Sequence, residues 1–248
     1  MESLIPSATA ILLKKNASSQ LGFQVLLLRR NTKLKIHGGS WVFPGGKVDP
    51  SDFQLGGSDK IPSTLSSSDF ASLNEKSQLQ ITKRAALRET LEEAGLSLQE
   101  QALCLLSRWQ TPKTLAKRFD TWFFIGETDV DVISIDGGEI LDFQWLSPAE
   151  AVSQHQQEKL SIPPATFVTL LGLAKFTSIE KAIEVLCKKP VHYRPRMIAI
   201  EGGLCSMYEE DSAYMDEQPD LNSKHDGSVT RHRLIIKNGQ YEYLNDVE

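Results

Sequence analysis

The sequence predicts an α/β fold, a mixed sheet covered by helices, and three observations carry that expectation. Short apolar runs at 8–13 and 23–28 read as two strands of a hairpin, joined through the polar stretch 16–20. A helix begins near Ser68-Asp69 or at Asn74 and runs to Ala94, with Gly95 as its stop signal. Further strands are expected at 102–109, 121–125 and 140–146, so strands stand before and after the long helix in chain order.

The remaining elements follow from local chemistry. Trp41-Val42-Phe43-Pro44-Gly45-Gly46 reads as a short strand running into a tight turn, and the Ser-, Gly- and Asp-rich stretch 54–68 as a loop. Ser147-Pro148-Ala149-Glu150 is a helix start, with a serine cap, proline at the first position and glutamate at the third. Beyond Ile162-Pro163-Pro164, two helices are expected at 166–176 and 178–188. A strand at 197–200, an acidic loop at 209–230 and a last strand at 234–236 follow. The expected division is a core over 1–160 and a C-terminal helical extension with its tail, packed on that core, over 161–248.

Composition narrows the function classes. With 248 residues, 40% hydrophobic and 24% charged, the chain is an ordinary globular protein. A formal net charge of −5 argues against a nucleic-acid-coating role. Cys104, Cys187 and Cys205 are widely spaced and odd in number, so neither a disulfide scaffold nor a zinc site is expected. No apolar run suits a bilayer span, and neither end carries a secretory or peroxisomal address. A cytoplasmic protein without membrane or nucleic-acid partners is therefore expected. His37, His155, His192, His225 and His232 show no metal-ligand spacing.

The chemistry concentrates in Arg88-Glu89-Thr90-Leu91-Glu92-Glu93-Ala94-Gly95-Leu96. At about 100° per residue, Glu89, Glu92 and Glu93 share roughly one third of the helix circumference. Leu87, Leu91 and Ala94 lie opposite, as an expected core face. An acidic stripe is commonly just a solvated face. Its carboxylates are equally the oxygen ligands that hard divalent cations require.

With the glycine pair Gly45-Gly46 upstream, these residues resemble the Nudix box, G-x5-E-x7-R-E-U-x-E-E-x-G-U with U a bulky apolar residue. Gly46 opens the box. Asp52 stands where the pattern has its first glutamate, Thr90 takes a usually apolar place, and 35 residues rather than seven separate Asp52 from Arg88. Residues from about 53 to 80 thus read as an insertion, which closure entropy tolerates. An interrupted box resembles the acyl-coenzyme A diphosphatase branch of the family. So do 41–49 (WVFPGGKVD), 109–124 (WQTPKTLAKRFDTWFF) and 162–166 (IPPAT). Coenzyme A members often carry R-x3-G-x3-F-P-G-G. Gly39 and 43–46 match its end, with Lys35 in the arginine position.

The resemblance implies an α/β/α sandwich and hydrolysis of the diphosphate bond in a nucleoside diphosphate-linked small molecule, aided by Mg²⁺ or Mn²⁺. It implies Glu89, Glu92, Glu93 and the Gly46 carbonyl as metal ligands, with Arg88, catalytic alongside the three glutamates, orienting Glu92 by a bidentate pair. Arg118, Arg30, Lys35, Phe43 and Gly45 are the substrate-binding candidates. The base is Glu89 or a carboxylate from a later loop, with Glu139 and Glu127 available by position. Coenzyme A or acyl-coenzyme A is the leading substrate, and ADP-ribose or a nucleotide sugar the rival. A Nudix-fold binding module without catalysis is an alternative of another class. Decapping of mRNA would want a basic RNA track that the acidic balance does not offer. The quaternary state leaves room for a homodimer.

Overall fold

The computed structural model describes residues 4–15, 22–53, 67–130, 132–219 and 229–247. The chain forms two compact units, one of 1–109 with 119–191 and one of 110–118 with 192–248. The larger unit runs to residue 191.

The larger unit is built on a mixed sheet. β1 (Ile5–Lys15) and β2 (Phe23–Arg30) pair antiparallel, with Leu13 opposite Val25. The turn expected between them lies outside the described residues. β3 (Trp41–Val42) extends β2, and β4 (Gly45–Lys47) pairs antiparallel with β1. β5 (Cys104–Gln110) and β6 (Phe119–Glu127) follow, and β6 runs parallel to β1 from Ile5↔Phe119 to Leu13↔Glu127. β7 (Ile140–Leu146) joins β2 antiparallel. The principal strand order is β3-β2-β1-β6-β5.

Helices cover this sheet. α1 (Ser67–Ser72) precedes α2 (Glu75–Ala94), which starts where Asn74 Oδ1 accepts the Ser77 amide at 2.9 Å. α2 stops at Gly95, whose φ of 68° is left-handed and whose amide donates to Leu91 O. One face of the sheet packs Ala8, Ala10, Leu12, Trp122 and Phe124 against Ala85, Ala86 and Ala94 of α2. The alternate residues Ile11, Leu13, Val25 and Leu27 are buried too. α3 (Pro148–Gln156), α4 (Pro164–Leu173) and α5 (Ile179–Leu186) complete the unit, α5 lying against β1 and β6. The Ser147 hydroxyl caps α3 by accepting the Glu150 amide, as its sequence predicts.

Two expectations need correction. Of the expected core face of α2, Ala94 is buried and Leu87 packs against the core, but Leu91 is 52% exposed, while Ile81, Ala85, Ala86 and Thr90 are buried. The helix is rolled so that Glu93 turns inward, and Thr90 survives burial by donating its hydroxyl to Ala86 O at 2.7 Å. As the sequence predicts, helix begins inside the insertion. Residues 67–80 are largely helical, and Phe53, Phe70 and Ile81 form a small apolar cluster that joins its two ends. Cys104 and Cys187 form a disulfide across 83 residues of sequence, their Cα atoms 6.2 Å apart, while Cys205 is free and buried. The helical extension ends at Leu186.

After the short strand β8 (Val191–Tyr193), the smaller unit is an antiparallel sheet: β9 (Arg196–Ile200), β10 (Gly203–Met207), β11 (His232–Lys237) and β12 (Gln240–Asn245), in the order β12-β11-β10-β9. Its polar interior is satisfied. Arg233 pairs with Asp211 through two 2.7 Å hydrogen bonds, and His232 lies between Glu210 and the Tyr243 hydroxyl. Among the described residues, no helix is long and apolar enough to cross a membrane.

Gly95 offers a direct test of the α2 stop. A Cβ there would press on Ser134 and sit at a left-handed φ, so Gly95→Ala lowers unfolding free energy by about 1–2 kcal/mol in denaturant titration.

Candidate active site

The glycine pair shapes the site because it forms a strand with no room for side chains. Gly45 and Gly46 stand opposite Thr9 and Ala8 in the β1–β4 pairing. A Cβ on Gly45 would overlap the β1 backbone, and one on Gly46 would overlap the Glu89 carboxylate. Only glycine lets β4 approach the acidic helix so closely. The Gly45 amide then donates to Glu93 Oε2 at 2.9 Å.

Arg88 is the hub on the exposed side of this junction. Its Nε and Nη2 donate to the two oxygens of Asp52, both at 3.0 Å. Nη1 donates to Glu89 at 2.9 Å and Glu92 at 3.1 Å, and Nη2 also reaches the Lys47 carbonyl at 2.9 Å. Burial works against its charge, but Asp52 and Glu89 more than compensate and hold the guanidinium firmly protonated. Asp52 is itself buried and accepts the Asp49 amide at 2.7 Å. The aspartate that departs from the box pattern therefore fills a definite structural place.

The three helix carboxylates differ in environment. Glu92 is 58% exposed, Glu89 is 15% and Glu93 only 6%. Burial pushes the Glu89 carboxyl up, with Glu92 and Glu139 adding to the shift against the pull of Arg88. Burial pushes Glu93 up to about 8; Glu89 and Glu139 add to this, while the Gly45 amide and Arg30 oppose it. Arg30, at the end of β2, lies 3.6 Å from Glu93 and 3.5 Å from Glu139. Glu139 thus belongs to the cluster. Glu127 does not, since it pairs with Lys15 at 3.4 Å.

The other sequence candidates divide. Lys35 is exposed in the turn whose base is closed by hydrogen bonds of Arg30 with Ser40 and Gly39. Phe43 is a core residue rather than a substrate contact: it is 3% exposed, with its ring edge-on to Phe123. Arg118 lies in the smaller unit, where its Nε donates to Thr111 O at 3.3 Å. Asp52 and the Lys47 carbonyl were absent from the sequence candidates. The six-residue step from Gly46 to Asp52 was the signal for the first; nothing local marks a backbone oxygen.

A divalent ion fits this donor set by chemistry. The donors are carboxylates and a carbonyl, two of the carboxyls carry raised proton affinity through crowding and burial, and the glycine strand leaves a cradle that one Cβ would fill. The side chains as they stand diverge toward Arg88, Arg30 and the Gly45 amide. Among the described residues no three His, Cys, Asp or Glu side chains close on a single point.

A family model of the NUDIX domain matches residues 81–171. The NUDIX hydrolase of Alicyclobacillus acidocaldarius shares the fold, with a TM-score of 0.60 at 21% identity over 77% of this chain and all of that one. The chain carries a NUDIX domain over residues 81–171 and resembles the Nudix hydrolases. Within the family it resembles acyl-coenzyme A diphosphatase NUDT19 of Xenopus laevis, 25% identical across 90% of this chain and 80% of that protein. The Gallus gallus protein of the same name is 24% identical over 90% and 85%. Putative nudix hydrolase 7 of Caenorhabditis elegans is 27% identical over 78% and 70%.

Two outcomes follow from the geometry. Asp52→Ala strips Arg88 of a bidentate partner, lowering stability by about 2 kcal/mol in denaturant titration. The raised Glu93 pKa makes the metal-free protein pH-sensitive in a defined direction. The folded chain keeps a proton that the unfolded chain has released, so stability falls as pH rises from 4.5 toward about 8. Denaturation midpoints in chelator at about pH 5 and about pH 8 measure this, and added divalent ion reverses the loss at the higher pH.

Proposed function

We propose that the chain is a Nudix hydrolase that cleaves the diphosphate bond of coenzyme A or an acyl-coenzyme A in a divalent-metal-dependent reaction. The products are adenosine 3′,5′-bisphosphate and phosphopantetheine or its acyl form. The observation that carries the bond type is the buried carboxylate pair Glu89 and Glu93 pressed against the Gly45-Gly46 strand, with Arg88 and Arg30 beside it. The substrate rests on the likeness to acyl-coenzyme A diphosphatases over most of the chain.

Glu89, Glu92, Glu93 and the Gly46 carbonyl would hold Mg²⁺ or Mn²⁺, which supplies neutralisation of the diphosphate charge. The protein's own groups do the rest. Arg88 fixes the directions of Glu89 and Glu92 by donating to both. Arg30, carrying positive charge beside Glu93, meets a phosphate oxygen. Glu89, whose carboxyl has a raised affinity for protons, receives the proton of the attacking water. The water oxygen bonds to phosphorus, the bridging P–O bond breaks, and the leaving phosphate takes the electron pair.

A panel of coenzyme A, acyl-coenzyme A, ADP-ribose and nucleotide sugars, each with Mg²⁺ or Mn²⁺, tests the proposal by product analysis. Turnover is expected with a coenzyme A species, and its absence there alongside hydrolysis of ADP-ribose would give the substrate to the rival. Glu93→Gln is expected to cut kcat by about 10²–10³-fold. Unchanged turnover in that variant rejects the assigned role of Glu93.

A further inference from the structure

We propose that Arg30 is a built-in counter-cation: in the metal-free protein it rests against Glu139 and against Glu93 as that carboxyl ionises, competes there with the divalent ion, and moves to the phosphate when a diphosphate binds. This rests on Glu93 being a metal ligand. It adds a coupling that makes metal and substrate favour each other's binding.

The two arginines of the site are held in different ways. Arg88 makes directional hydrogen bonds of 2.9–3.1 Å to three carboxylates and a carbonyl. Arg30 faces its two carboxylates at 3.6 and 3.5 Å, beyond the usual reach of a directional N–H···O bond. Arg88 is a fastening, and Arg30 is a charge resting against other charges.

The backbone around Arg30 is fixed by hydrogen bonds, while its side chain meets the two carboxylates at ion-pair distance. The Arg30 amide donates to Ser40 O and its carbonyl accepts the Gly39 amide, both at 3.0 Å. The β2–β7 pairing slips between Arg29 and Arg30, so that Arg29 stands opposite Asp142 and Arg30 opposite Ile140. Such a bulge re-aims the side chain at a strand end. Glu139 is anchored likewise: Asp136 accepts its amide at 2.8 Å, its carbonyl accepts the Asn31 amide at 2.7 Å, and its side chain is 60% exposed. Guanidinium and carboxylate can therefore separate without disturbing the sheet.

Electrostatics supplies the linkage. Glu89, Glu93 and Glu139 repel one another across the site, and Arg30 relieves part of that repulsion at Glu93. A divalent ion at Glu93 meets the same carboxylate and is repelled by the guanidinium already there. A diphosphate that attracts Arg30 leaves Glu93 to the metal, and by reciprocity the metal frees Arg30 for the phosphate.

The test is a Mn²⁺ titration of wild type, Arg30→Gln and Arg30→Lys without substrate, read by the paramagnetic resonance of free Mn²⁺. Arg30→Gln is expected to bind Mn²⁺ about fivefold tighter or more. It should also gain more in Tm on Mn²⁺ addition than wild type does. Its KM for whichever panel compound is hydrolysed should rise about tenfold. Arg30→Lys keeps a charge but cannot span both carboxylates, so it shifts Mn²⁺ affinity in the same direction by less, and it serves if the glutamine variant does not fold. Unchanged or weaker Mn²⁺ binding in the variants overturns the proposal, as does an unchanged KM. Wild type that binds no Mn²⁺ rejects instead the metal reading on which the proposal stands.

Discussion

Arg88 reaches across 36 residues of sequence to Asp52 and, in the same plane of donors, to Glu89 and Glu92 on its own helix. Most of the site depends on that one guanidinium. It ties Asp52, just before the insertion, to the acidic helix, and it takes the Lys47 carbonyl at the edge of the glycine strand. A lysine could not replace it, because one ammonium cannot present a planar fork to Asp52 while also meeting two further carboxylates. With Arg88 in place, the two halves of the interrupted box meet. The insertion contributes by closing on itself through Phe53, Phe70 and Ile81.

Around this joint the protein accumulates negative charge that its own cations only partly balance. Glu93 is the extreme case, buried at the strand whose Gly46 has no space for a Cβ beside Glu89. A carboxylate desolvated in this way raises its proton affinity, which amounts to stored demand for a cation. The gradient from exposed Glu92 to buried Glu93 makes the three positions chemically unequal despite their near-identical place in the motif. Such inequality suits a centre in which one carboxylate moves a proton while its neighbour holds charge.

The smaller unit follows a different logic. Its sheet encloses a satisfied ion pair, Asp211–Arg233, and a histidine bonded on both ring nitrogens. Its strands are short and marked by little more than single apolar triplets. Gly202, with φ of 75°, makes the turn that reverses β9 into β10. β12 was unrecognised in the sequence: Gln240-Tyr241-Glu242-Tyr243-Leu244-Asn245 alternates, but its aromatic residues face a network that only pairing with β11 assembles.

Local chemistry by itself determined the helix from Asn74 to Gly95, the cap at Ser147, the strand at 140–146, and the carboxylates and glycines of the box, because caps, periodicity and motif spacing are properties of neighbours along the chain. The tertiary structure decided which way that helix rolls, exposing Leu91 and burying Thr90 and Glu93. It decided the pairing of Cys104 with Cys187, the place of Glu139 beside Arg30, and Asp52 as the partner of Arg88. These contacts join residues far apart in sequence, and their energies depend on burial and on opposing charges that exist only once the sheet has brought the segments together.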